Sequence, residues 1–252
     1  MSPGRHAAPE PEDTFFEIEL DLPEPTPPPA AAEAFEHRSP VSGSVRAHEV
    51  SYARAGRTIL DSVSVNLVAG ETLAVVGPSG SGKSSLLALL AGLEAPDSGS
   101  VHRDRNGSSG PDGLVLQGYG LVSVLTAAEN VEAPLQAGAL GRLGRTEIRQ
   151  RAAVALDSVG LSEVADHLVE ELSGGQQQRA AVARALAIDP AVLFADEVTA
   201  ELDHEWKGRV VELVLGIAER GGIVVLATHD PEIAELCDHR LHLVDGRVAE
   251  LN

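Results

Sequence analysis

Cysteine occurs once in this chain of 252 residues, at Cys237, so no intrachain disulfide and no thiolate metal cluster can form, and a reducing compartment fits. Aromatic residues supply only 3% of positions, with one tryptophan, which leaves the core to Val, Leu, Ile and Ala. Positive charge is short as well: 19 Lys and Arg stand against 38 Asp and Glu, a formal net charge of −19. Such acidity argues against nonspecific nucleic-acid binding and against electrostatic docking on anionic lipid, while leaving a membrane-protein partner open. No run of 18 uncharged apolar residues occurs and the N-terminus has no apolar signal core, so neither export by an ordinary signal nor a bilayer span is expected. The histidines include no pair at H-x-x-x-H spacing on a plausible helix, His48, His204, His239 and His242 among them, so no zinc-type site is expected.

The length allows one large α/β domain or two small ones. Residues 1–40 hold nine Asp or Glu against two Arg, a net of −7. With their Pro, Glu and Ala they read as a disordered acidic tail over 1–42, because such a composition cannot repay the entropy of ordering. The stretch 15–20, FFEIEL, is the alternative there, as a partner motif or an added edge strand. From Val45 the pattern changes, and 43–252 reads as the folded domain. Alternating stretches at 45–50 and 58–67 predict an antiparallel layer, and a strand leads from Gly70 into Gly77. The run NGSSGPDG at 106–113 predicts a turn region before a short buried strand at 114–116. Residues 127–170 read as mostly helical, broken near 138–141 and at Gly160, and a helix seeded at Gln176 runs to near Pro190. Continuous apolar strands at 191–195 and 222–227, with a helix over 204–220 between them, predict a crossover unit in a parallel sheet covered on both faces.

The segment Gly77, Pro78, Ser79, Gly80, Ser81, Gly82, Lys83, Ser84 carries the spacing G-x-x-x-x-G-K-S between a strand and an apolar helix. Glycines let the backbone curl until its N–H groups converge on phosphate oxygens. Lys83 would neutralise the β and γ phosphates, Ser84 would ligate magnesium, and the helix from Ser85 would turn its N-terminus to the anion. A Gly/Ser linker is the bland alternative, and the flanking strand and helix argue against it. Strand 191–195 ends in Asp196 and Glu197, where Asp196 is suited to hold magnesium and Glu197 to polarise the attacking water. A surface acidic pair is the alternative. Gln117 follows its strand as either a metal and water contact or an ordinary surface residue. His229, after strand 222–227, is either a γ-phosphate sensor or a plain strand-end histidine. Far downstream, Leu172, Ser173, Gly174, Gly175 and Gln176 open a helix with bare N–H groups that suit phosphate, or with glycines that serve packing alone. Two anion-binding helix starts in one chain suggest a ligand sandwiched between two subunits related by two-fold symmetry.

Over residues 45–250 the chain resembles the nucleotide-binding subunits of ABC transporters, with the motifs at 77–84, 117, 172–176, 194–197, 202–203 and 229 in the family order. The resemblance implies a P-loop NTPase of α/β class with an ABC-type core sheet, a small antiparallel β layer and an inserted helical subdomain at about 118–178. It also implies adenine stacking on Tyr52, and an Asp203 that crosses a dimer interface. Residues 125–138 and the run LSGGQQQR at 172–179 look most like the lipoprotein-releasing and macrolide-export ATPase subfamily. The function implied is hydrolysis of ATP with Mg2+ by a homodimer, or a heterodimer with a related ATPase, that drives a separately encoded integral-membrane permease. Export or extraction is the direction implied. A peripheral place on the cytoplasmic face of the membrane goes with it, and the surface from Gln117 to about Leu135 is expected to receive the permease. Two departures stand out: Val198 and Ala200 replace the family's usual proline and glycine, and the segment 99–117 is short and Gly/Ser-rich. They keep a regulatory ATP-binding module of little turnover open as a second class; a soluble ABC ATPase acting on DNA or ribosomes is the third.

Overall fold

Alternation of apolar side chains across buried strands decides how this chain is layered. The computed structural model describes residues 43–104 and 110–251, so the expected tail at 1–42 and part of the turn region at 106–113 lie outside the described residues. Strands β1 (Ser44–Arg54), β2 (Arg57–Val68) and β4 (Ser98–Asp104) form an antiparallel sheet in the order β2-β1-β4. A second sheet has the order β5-β6-β7-β3-β8-β9, built from β3 (Thr72–Val76), β5 (Asp112–Val115), β6 (Val192–Asp196), β7 (Ile223–Ala227), β8 (His239–Val244) and β9 (Arg247–Leu251). Its strands are parallel except for β9.

Helices α1 (Lys83–Leu90), α2 (Ala127–Gln136), α3 (Arg145–Ser158), α4 (Gly174–Ala187), α5 (His204–Glu219) and α6 (Pro231–Glu235) connect these strands, with single 3-10 turns at Ser162–Val164 and Val169–Glu171. Leu73 and Val75 of β3, Val192 and Phe194 of β6, and Ile223 and Val225 of β7 share a core with α1 and the antiparallel sheet. Ala74, Leu193, Ala195, Val224 and Leu226 share the opposite core with α2, α3, α4 and α5. Both faces are therefore covered, which is why these strands read as unbroken apolar runs. Each fully buried Leu, Ile or Val contributes about 1.5–3 kcal/mol relative to exposure.

Helix boundaries follow local chemistry. Thr126 and Glu129 exchange capping hydrogen bonds at the start of α2, and the Asp203 carboxylate accepts from Trp206 N at 2.9 Å to start α5. Asp230 caps α6 with Pro231 in its first turn. Caps of this kind are worth about 1 kcal/mol each. Helix α4 stops ahead of Pro190, with Asp189 turned into the left-handed region at φ 46°. The sequence reading placed most elements within a residue or two but missed β4, α6, β8 and β9. It also ran the strand before Gln117 to Leu116, whereas β5 spans Asp112–Val115 and Leu116 is exposed.

The single tryptophan, on α5, ties α4 and the turn after α3 together. The Arg179 guanidinium stacks 4.0 Å from the Trp206 ring centroid and donates to the Val159 carbonyl at 2.6 Å. Arg209 Nε donates to Ser158 O at 3.1 Å. Carbonyls at the C-terminal end of α3, unpaired within the helix, are thus satisfied by cations from α4 and α5. The turn closes at Gly160, whose φ of 65° and close contact with the indole leave no place for a Cβ. Gly160→Ala is expected to lower stability by at least about 1–2 kcal/mol and to shift the emission of Trp206; chemical denaturation followed by tryptophan fluorescence checks both.

Candidate functional site

Register brings the chemistry to one level. Ala227 of β7 pairs with Val75 of β3 on one side and with Asp196 of β6 on the other, and beyond that level Glu197 N donates to Ala227 O at 3.0 Å while Thr228 N donates to Val75 O at 3.1 Å. The three chain segments that leave these strand ends are the glycine loop 77–82, the acidic pair 196–197 and the turn carrying His229. A crevice at the carboxyl ends of parallel strands is where such sheets bind ligands.

The glycine loop curls as its sequence requires. Gly77, Gly80 and Gly82 have φ of 147°, 79° and 105°. A Cβ on Gly77 would collide with the Leu243 carbonyl, and one on Gly82 would lie 2.8 Å from Leu60 Cδ2 and 2.9 Å from Ile59 O. Gly82 leads directly into α1. Lys83 Nζ donates to the carbonyls of Gly77 at 2.8 Å and Pro78 at 3.0 Å, which holds the ammonium over its own loop. The Ser81 hydroxyl is buried without a hydrogen-bond partner among the described residues. Leu60, which packs on Gly82, is the strand partner of Tyr52, so the half-buried Tyr52 stands one strand away from the loop.

Asp196 is buried, and burial raises its carboxyl above the usual range, opposed by a hydrogen bond from Ser84 and by the Lys83 charge and reinforced by Glu197. Glu197 adopts a left-handed φ of 54°, rare for a non-glycine residue. Its carboxylate lies 2.8 Å from His229 Nδ1. A carboxylate in that contact accepts, so the imidazole donates from Nδ1 and keeps Nε2 open as the other ring nitrogen. Gln117 is exposed, two residues beyond the end of β5, whose Val115 pairs with Ala195 next to Asp196.

Residues 173–176 lie elsewhere. Ser173 caps α4, its hydroxyl accepting from Gln176 N at 3.3 Å while Gln176 Oε1 accepts from Ser173 N at 2.9 Å. Ser173 and Gly174 are exposed. Gly175 also serves packing, since a Cβ there would come within 2.8 Å of Glu201 O. Helix α4 and helix α1 sit on opposite faces of the sheet, so the two glycine-rich helix starts do not share a face. Asp203 is exposed and caps α5.

Two side chains that the sequence reading passed over organise the surroundings. Gln178 donates to Glu197 O at 2.6 Å and accepts from Glu201 N at 2.9 Å. Arg184 donates to the carbonyls of Gly120 and Tyr119, the latter at 2.8 Å, where both residues have φ of 61°. The signal for Gln178 was its helical spacing, in line with Ala181, Val182 and Ala185 on the buried face, where a polar group needs partners. Asn130 adds hydrogen bonds to both N and O of Val122. The loop that follows Gln117 is therefore pinned from below, with Val122 and Val124 exposed on it and Leu116 exposed just before it.

A family model described as ABC transporter matches residues 60–200. The chain belongs to the ABC transporter family. As a member it is an ATP-binding and ATP-hydrolysing subunit that powers a membrane permease. It is 39% identical over 206 residues to the lipoprotein-releasing system ATP-binding protein LolD 1 of Chlorobium chlorochromatii, covering 77% of this chain and 83% of that protein. It is also 39% identical over 213 residues to the methionine import ATP-binding protein MetN of Caulobacter vibrioides, covering 79% of this chain and 63% of that protein. Among solved structures, the dimeric post-hydrolysis state of the ATP-binding cassette MJ0796 bound to ADP and Pi superimposes with a TM-score of 0.77 at 34% identity, over 82% of this chain and 97% of that one. As in such ABC cassettes, the α/β core sheet here is joined to an antiparallel layer. Among the described residues no helix is long and apolar enough to cross a membrane.

The raised carboxyl of Asp196 implies a cost in stability at neutral pH, where the folded chain holds a buried charge that the unfolded chain exposes to water. Asp196→Asn keeps the acceptor for Ser84 and removes that charge, and it is expected to raise the melting temperature of the nucleotide-free protein by about 2–4 °C at pH 7. The gain should shrink as pH falls through the raised carboxyl value and the unsubstituted side chain becomes neutral. Thermal melts of both proteins at several pH values check this, and a less stable variant at pH 7 would contradict it.

Proposed function

We propose that ATP is hydrolysed at the strand-end crevice with Glu197 as the group that activates water. The observation that carries this reading is the register that puts Gly77, Asp196, Glu197 and His229 on three adjacent strand ends. Residues 77–85 cradle the phosphates, with Lys83 swinging from its loop carbonyls to the β and γ oxygens, and Tyr52 stacks on adenine. The water oxygen attacks the γ phosphorus, the bond to the β,γ-bridging oxygen breaks, and Glu197 takes the proton. His229, held by Glu197 through Nδ1, turns its other ring nitrogen toward the γ-phosphate and monitors it. Mg2+ fits these residues: Ser84 and Asp196 are already within hydrogen-bond reach of each other, and Gln117 is free to swing in. Among the described residues no group of three or more His, Cys, Asp or Glu is placed to hold a metal alone, as suits an ion that is bound largely through water and phosphate. When bound it would neutralise charge building on the phosphate oxygens.

The second half of the reading is a dimer. Ser173, Gly174 and Asp203 are exposed, and α4 and α5 pack on the far face of the sheet from α1, so residues 173–176 and Asp203 suit the site of a second copy rather than their own. A homodimer around two ATP is the assembly proposed, with a heterodimer with a related ATPase as the other option. The surface from Gln117 to about Leu135, with Val122 and Val124 exposed on it and Leu116 exposed just before it, suits contact with the permease, and a peripheral place on the cytoplasmic face goes with that contact. Export or extraction is the proposed direction, supported by the likeness to the releasing-system ATPase and by residues 125–138.

Glu197→Gln is expected to bind ATP, sediment as a dimer and turn over about 100- to 10,000-fold more slowly, the usual share of a general base; steady-state phosphate release at the unsubstituted rate would remove Glu197 from this role. Lys83→Ala should weaken ATP binding about 10- to 100-fold, as loss of a charged hydrogen bond worth about 1.5–3 kcal/mol requires, and equilibrium titration with a fluorescent ATP analogue checks it. Formation of the Glu197→Gln dimer from the pure chain also distinguishes the homodimer from the heterodimer.

A further inference from the structure

Gln178 is a polar side chain at 2% exposure in the body of α4. Its amide divides between two backbone groups of one short segment: Nε2 donates to Glu197 O at 2.6 Å and Oε1 accepts from Glu201 N at 2.9 Å. That segment is a chain of tight turns, with Ala200 N donating to Glu197 O at 3.3 Å and Leu202 N to Thr199 O at 3.2 Å. It begins at the left-handed φ of 54° on Glu197 and carries neither proline nor glycine to fix its shape. A non-glycine residue stays in that region only when its surroundings hold it there. Gln178 supplies that hold at both ends of the segment.

The same helix begins with residues 173–176, and Gln178 lies one helical turn after Gly174. Gly175 adds a second contact, its Cα face packed against Glu201 O. We infer that Gln178 is a positioning residue that links the helix start at 173–176, exposed at Ser173 and Gly174, to this chain's own Glu197 and Glu201, so that closure on a partner's nucleotide is transmitted to the water-activating carboxylate. A helix is stiff along its axis, so a shift of its first turn moves the Gln178 amide with it, and the amide moves the Glu197 carbonyl. The link rests on the assignment of Glu197 made above, and the Glu197→Gln turnover measurement tests that assignment separately.

Gln178→Met keeps the side-chain length and removes both hydrogen bonds. With Glu197 intact it is expected to keep its unfolding profile and an ATP dissociation constant within about twofold, while kcat falls on the order of 10- to 100-fold, as for a misplaced catalytic group. The Hill coefficient for ATP should move toward 1. Gln178→Glu keeps the acceptor for Glu201 N and turns the donor facing Glu197 O into an acceptor, which separates the two bonds. It should lose turnover as the methionine variant does, yet on the Glu197→Gln background still form the ATP-dependent dimer as well as that background alone. The inference is overturned if Gln178→Met folds and turns over within twofold of the unsubstituted protein, or if its ATP affinity falls in step with kcat. It is equally overturned if Gln178→Glu loses dimerisation together with turnover.

Discussion

The parallel pairing of β7 with β3 on one side and β6 on the other is the constraint on which the rest of this structure depends. Because Ala227 is level with both Val75 and Asp196, one ladder of peptide hydrogen bonds sets the relative height of the phosphate loop, the acidic pair and His229. A slip of one residue in either pairing would carry the buried side chains of that strand to the wrong face. The apolar alternation that fills two separate cores therefore also protects the geometry of the site, and packing and function are enforced by the same side chains.

What the sheet positions, it positions at a cost. Asp196 is held as a buried carboxyl pushed upward by desolvation, and Glu197 sits in a backbone region that costs a non-glycine residue about 1–2 kcal/mol. The hydrogen bonds that Gln178 makes to residues 197 and 201 are where the helical layer offsets that strain. Sites of this kind tend to be locally unfavourable and globally tolerated, since a preorganised charge and a preset loop are of use only when substrate arrives.

Much of the site was legible in order along the chain. The glycine spacing at 77–84 marked a tight curl that Gly77, Gly80 and Gly82 make with positive φ, and the continuous apolar runs before Gly77, Asp196 and Thr228 mark strands buried on both faces. The opening of α4 was legible too, although its second glycine proved to serve packing as well as exposure of N–H groups. Strands β8 and β9 went unread because each is only six or five residues long and carries His, Arg or Glu among few apolar positions, and β4 because a run such as SGSVHRD takes its extended form from pairing with β1 rather than from its own preference.

The sequence by itself determined which groups are the candidates for the chemistry, because phosphate binding, metal ligation and water activation each demand particular residue types at short, local spacing. It also determined that the chain would build an α/β layer protein without disulfides. Only the tertiary structure decided how those groups meet: that His229 pairs with Glu197, and that Gln178 and Arg184 reach across 19 and 65 positions to hold the loops. The physical reason is that a hydrogen bond between distant segments leaves no periodic trace in either one. Its partners are chosen by strand register and helix packing, which arise from the whole core at once.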